Sequence, residues 1–146
     1  MNVLHYQSFC SAAGESVCYA SVITKIACNI CKLPFTLENI GKCLDIGFDK
    51  GYITMNQNDY KAYSNFTVQN PAAWLSKLTG KTYTVTVESA DYKAKKDEIE
   101  VLFYALNKTN ADKGIGHFRL ADYDPIAVCN TVKNGKVYSK RIFREK

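Results

Sequence analysis

The sequence reads as an α+β domain, with helices first and an antiparallel sheet after them. Up to about Gly80 the apolar residues recur at helical spacing; beyond it they alternate with polar ones. The chain has 146 residues, enough for one hydrophobic core, whereas two domains in that length would each be too small to bury one. Residues 1–146 are therefore taken as a single domain. Hydrophobic residues make up 47% and charged residues 23%, which excludes disordered and low-complexity classes. No apolar run approaches the roughly 20 residues of a membrane helix. The net charge of +5, from 19 Lys and Arg against 14 Asp and Glu, is too mild to single out a nucleic-acid binder.

The elements follow in order. Between Val17 and Cys31 the residues Val22, Ile23, Ile26, Ala27 and Ile30 make one buried stripe, so a helix is expected there. Ser16 is its candidate N-cap, and Lys32-Leu33-Pro34 closes it. A short second helix runs from the capping Thr36 to about Leu44, and a third, over Ala72–Leu78, opens at Asn70-Pro71 and stops at Gly80. Gly47–Gln69 reads as a long irregular connection. Thr82–Val87 alternates and is β-branched, Ile99–Leu106 is an apolar strand, and Gly116–Ala121 is a third strand. Ile126–Val132 and Lys136–Phe143 flank Asn134-Gly135, a strong hairpin signal.

The chain opens Met1-Asn2-Val3-Leu4-His5 without a basic-then-apolar leader, so a reducing cytoplasm is the expected setting. Cys10, Cys18, Cys28, Cys31, Cys43 and Cys129 are then thiols rather than a disulfide framework, and the Asn65 and Asn107 sequons carry no meaning. Cys28-Asn29-Ile30-Cys31, with Cys43 as a third ligand, falls short of the four ligands of a structural zinc site. It also ends a helix where a redox motif would open one. Core cysteines are the better account, and no metal or cofactor is expected.

Two residues carry chemistry. Cys18 falls in the first turn of the first helix, where unpaired N–H groups and the helix dipole favour thiolate. Its own N–H is a candidate donor to a developing oxyanion. His117 lies on a strand between Gly116 and Phe118, with Asp122 and Asp124 close behind. Taken alone, Cys18 is a small buried hydrophobe and His117 a satisfied strand histidine. Taken together they make a nucleophile and its base. Strand alternation turns Asp122 away from His117, so Asp124, fixed by Pro125, is the preferred orienting acid and Asp122 the substitute. Either acid also fits an ordinary turn.

A cysteine opening the first amphipathic helix, then Gly116-His117-Phe118 on a strand, then Tyr123-Asp124-Pro125, resembles the papain-like cysteine peptidase superfamily. The likeness is greatest to its compact bacterial and phage branch, including bacteriocin-processing peptidases and small relatives. Gly51-Tyr52-Ile53-Thr54 and Val68-Gln69-Asn70-Pro71 with Trp74-Leu75 look like the middle of those relatives. The resemblance implies a papain-like fold, a Cys18–His117–Asp124 triad and cleavage of a peptide, isopeptide or peptidoglycan-like amide through a thioester. One departure matters: such enzymes place a glutamine shortly before the nucleophile, and Ala12–Val17 contains none. Gln7 is the candidate donor, reaching the site only if Ser8–Ser16 folds back. Loss of such a donor costs about 2.7–4 kcal/mol of transition-state stabilisation.

The competing expectation is a catalytically retired binding module that works through its groove or through the basic strand of Lys133, Lys136, Lys140, Arg141, Arg144 and Lys146. Those charges read first as a solvated edge strand protected by lysines, ahead of nucleic-acid binding or attraction to anionic cell-wall polymers.

Overall fold

The computed structural model describes residues 18–55, 66–125 and 129–146. Helix α1 (Cys18–Ile30) buries Val22, Ile23, Ile26 and Ala27 as its spacing requires. It ends in a Schellman motif: Lys32 takes φ 56°, Leu33 N–H bonds Cys28 O at 2.9 Å and Lys32 N–H bonds Asn29 O at 3.3 Å. Helix α2 (Leu37–Asp49) is capped by Thr36, whose hydroxyl accepts from Asn39 N–H at 3.3 Å. It runs past the expected end at Leu44. Gly47 does not break it, because a Cβ there would lie 2.8 Å from Ile53 Cγ1 and 3.0 Å from Trp74 Cε2. Close packing against α2 selects this glycine.

The connection expected to be irregular holds two short strands, β1 (Ile53–Met55) and β2 (Phe66–Val68), paired antiparallel with Ile53 opposite Val68. Helix α3 (Pro71–Thr79) has the predicted ends: Asn70 Oδ1 accepts from Ala73 N–H at 3.1 Å, and Gly80 stands at φ 72°. Trp74 and Leu75 are fully buried, and Trp74 Nε1 donates to Cys43 O at 3.1 Å, joining α3 to α2.

The second half holds β3 (Tyr83–Ser89), β4 (Ile99–Ala105), a one-turn helix α4 (Lys108–Asp112), β5 (His117–Leu120), a second short helix α5 (Asn130–Asn134) and β6 (Lys136–Glu145). The four long-range strands make one antiparallel sheet in the order β3-β6-β4-β5. Helices precede sheet, as the sequence predicts. The core lies between them, where Val22, Ile23, Leu44, Trp74 and Leu75 meet Val101, Leu120 and Phe143. Each such side chain contributes about 1.5–3 kcal/mol by leaving water. Among the described residues no helix is long and apolar enough to cross a membrane.

Two expectations are corrected. Asn134-Gly135 is not a hairpin turn: residues Asn130–Asn134 are helical, and Gly135 has φ −105°, a conformation open to any residue. Glycine is needed there because a Cβ would lie 2.2 Å from Ala105 O and 2.5 Å from Thr131 O. The expected strand over 126–132 thus gives way to a helix in its last three residues; 126–128 lie outside the described residues. The basic strand is not an edge either. β6 is paired on both sides, and two of its cations are engaged: Lys140 Nζ sits 2.8 Å from Glu100 and Arg144 Nε 2.5 Å from Glu98.

Candidate active site

The site forms where the first turn of α1 meets β5. Cys18 opens α1, and its sulfur accepts the backbone N–H of Phe118 at 3.1 Å. Residues a hundred positions apart are thereby joined. The next residue, Tyr19, stacks on the Phe118 ring at 4.3 Å between centroids and 13° between planes, so the helix start is fixed to the strand twice. Burial pushes the Tyr19 hydroxyl well above its ordinary value, with nearby Arg141 opposing. It stays protonated.

His117, the residue before Phe118, is fully buried. Its Nε2 lies 2.6 Å from Asp124 Oδ1, and its Nδ1 finds no hydrogen-bond partner among the described residues. Gly116 in front of it allows the strand to lie against β4, because a Cβ there would lie 2.1 Å from Tyr104 O and 2.7 Å from the Phe103 ring.

A tight turn selects the acid. Leu120 N–H bonds Tyr123 O at 2.9 Å and Tyr123 N–H bonds Leu120 O at 3.4 Å, leaving Ala121 and Asp122 exposed at the tip. The chain reverses and brings Asp124 back beside β5, where Arg119 Nη1 also stands 3.7 Å from its Oδ2. Asp124, not Asp122, meets His117. Gln7, with His5, Cys10 and Ser16, lies outside the described residues.

One neighbour of the site escapes the sequence reading. Arg141, on β6, lays its guanidinium 5.3 Å over the Phe118 ring and 5.6 Å over the Phe103 ring. Burial lowers its pKa from the ordinary value, opposed by Tyr19, and its Nη1 donates to Ser139 Oγ at 2.8 Å. In the sequence it is one basic residue among six; only the strand pairing shows that it faces the aromatic pair. Two cysteines lie away from this site, packed against each other. Burial pushes the Cys28 thiol up and the Cys43 thiol up to about 12, each beside the other, which makes them poor nucleophiles at neutral pH. Among the described residues no three His, Cys, Asp or Glu side chains are grouped to hold a metal ion.

The arrangement places a thiol at the positive end of a helix, next to a strand whose histidine is already held by a carboxylate. A family model described as "Protein of unknown function, DUF261" matches residues 7–145. No curated protein and no solved structure matches the chain.

Proposed function

The chain belongs to the DUF261 family, and we propose that it is a papain-like cysteine hydrolase that cleaves a peptide, isopeptide or peptidoglycan-like amide bond. Its triad is Cys18, His117 and Asp124. The observation that carries this reading is the state of His117. A structural histidine in a fully buried position is ordinarily satisfied at both nitrogens. Here Nε2 is committed to Asp124 and Nδ1 has no partner among the described residues, at a cost of about 1–3 kcal/mol for a buried polar atom. A base waiting to exchange a proton has that appearance.

Cys18 sulfur attacks the amide carbonyl carbon, and its proton passes to His117 Nδ1. The C–N bond then breaks, His117 returns the proton to the leaving amine, and a thioester remains on Cys18. His117 next takes a proton from water, whose oxygen attacks the thioester. The acid leaves and the thiol is restored. Asp124 holds the imidazole orientation throughout and stabilises its charged form. The Cys18 N–H at the start of α1 supplies one donor to the oxyanion, and Gln7 is the proposed second.

Cys18 is only 1% exposed, which equally suits a non-catalytic module that keeps the fold. That module would work through its groove, because Glu98 and Glu100 already engage Arg144 and Lys140 of the basic strand. Iodoacetamide labelling from pH 4 to 9, mapped by mass spectrometry, separates the two readings. A hydrolase labels at Cys18 ahead of Cys28, Cys31 and Cys43, stays reactive below pH 8, and loses this advantage in His117→Ala. An acid quench with a peptide pool then traps an acyl group on Cys18. A Cys18 that labels no faster than Cys28 in the folded protein overturns the proposal.

A further inference from the structure

The cations of β6 have contrasting surroundings. Lys140 and Arg144 each hold a glutamate, yet Arg141 between them has no carboxylate partner among the described residues. Its one protein acceptor there is the Ser139 hydroxyl. The remaining N–H groups of a fork built for carboxylates have no acceptor among the described residues. Stacking on Phe103 and Phe118 offsets part of the cost of holding an unpaired, half-buried guanidinium, but does not use its hydrogen-bonding edge.

Arg141 also lines a cavity. Arg141, Phe103, Ser139 and Tyr138 form one side and Lys108 and Asp112 of α4 another, around about 380 Å³. The volume is within the range of ligand pockets, roughly 300–1,000 Å³. Lys108 and Asp112 neutralise each other at 3.0 Å, so the charge left over in the pocket is that of Arg141. The pocket is linked to the proposed active site through Phe118. Phe118, whose ring lies beneath the guanidinium, is the residue whose N–H holds the Cys18 sulfur, and Tyr19 covers that same ring.

We propose that Arg141 and this pocket bind a carboxylate of the substrate close to the amide that Cys18 attacks. The inference rests on the hydrolase reading for its setting, but not for its test. The carboxylate comes either from an Asp or Glu side chain or from a peptide C-terminus, and both would meet the guanidinium in the same bidentate way.

The test uses the full chain carrying Cys18→Ala, which binds without turnover. It is mixed with random hexapeptide pools made either with free C-termini or as C-terminal amides, and bound peptides are read by mass spectrometry after gel filtration. Peptides with a carboxylate should be enriched about tenfold over their amide or Gln and Asn counterparts, the scale of one charge-assisted hydrogen bond. Enrichment in the free-terminus pool alone identifies a terminal carboxylate; enrichment of Glu or Asp in both pools identifies a side chain. Arg141→Gln should abolish the preference and Arg141→Lys should retain part of it. If Arg141→Gln does not fold, the parent protein's preference must still fall as salt is raised. No bound peptide, no carboxylate preference, or an unchanged preference in Arg141→Gln overturns the proposal. Enrichment by a protein whose wild type never forms an acyl-enzyme would overturn the hydrolase reading and leave the pocket standing.

Discussion

Replacing Asp124 separates its role from that of Asp122. In Asp124→Ala the fully buried His117 ring loses its 2.6 Å partner, and both nitrogens are then unpaired among the described residues. Hydrogen bonds to a charged group are worth about 1.5–3 kcal/mol, and stranding the buried ring nitrogen falls in the same range. Arg119, 3.7 Å away and partly exposed, adds at most about 1 kcal/mol. The expected loss is therefore about 2–3 kcal/mol, read as a lower urea midpoint with an unchanged slope. Asp124→Asn keeps the shape and a neutral hydrogen bond, so about 1 kcal/mol is expected. The same variant should cut formation of the Cys18 acyl-enzyme by up to about 10⁴-fold, the scale for neutralising a triad acid. Asp122→Ala, at the exposed turn tip, should stay within about 0.5 kcal/mol. If Asp124→Ala matched wild type in both midpoint and Cys18 labelling, or Asp122→Ala had the larger effect, the assignment of the acid would be wrong.

Three further outcomes are expected. Gly116→Ala must push β5 away from Tyr104 O and the Phe103 ring, which lie 2.1 and 2.7 Å from the new methyl, so urea unfolding should show a loss of at least about 1–3 kcal/mol along with slower Cys18 labelling. Trp74→Ala empties the fully buried junction of α2 and α3 and should cost about 3–5 kcal/mol in the same assay, while a loss below about 1 kcal/mol would show that the core closes elsewhere. Glu98 is held at about 2, against an ordinary 4.5, first by the Lys95 N–H, then by the Tyr92 hydroxyl and Arg144. A depressed carboxylate stabilises the fold fully above its unfolded value, and that contribution is lost as pH falls from about 4.5 toward about 2. Wild type should accordingly lose more stability than Glu98→Gln across that window, and parallel curves would refute the assignment.

Much of this was legible locally. Thr36, Asn70-Pro71 and Gly80 act at the predicted helix ends because a cap needs only its own neighbours. The contact of Cys18 with β5 and the pairing of His117 with Asp124 were legible because each residue occupies a special local position: a helix start, a strand after glycine, and the far arm of a tight turn. What failed was long-range. Gly47 read as the start of an irregular connection and Gly135 as part of a turn, but both are required by atoms of other elements, Ile53 and Trp74 in one case and Ala105 in the other. The cations of β6 suggested an edge because their glutamates lie some forty residues earlier, and only the strand order brings them together. Arg141 was hidden for the same reason.

The place of β6 has a consequence for how the protein divides. The strand furthest along the sequence stands between β3 and β4, which are paired with it and not with each other. Lifting out residues Lys136–Glu145 would leave a slot two strand spacings wide, roughly 9–10 Å, lined on both sides by unsatisfied backbone groups. Two pairings and the buried Ile142 and Phe143 thus hang on the same ten residues, so loss of this one strand would separate β3 from β4 and open the core at once.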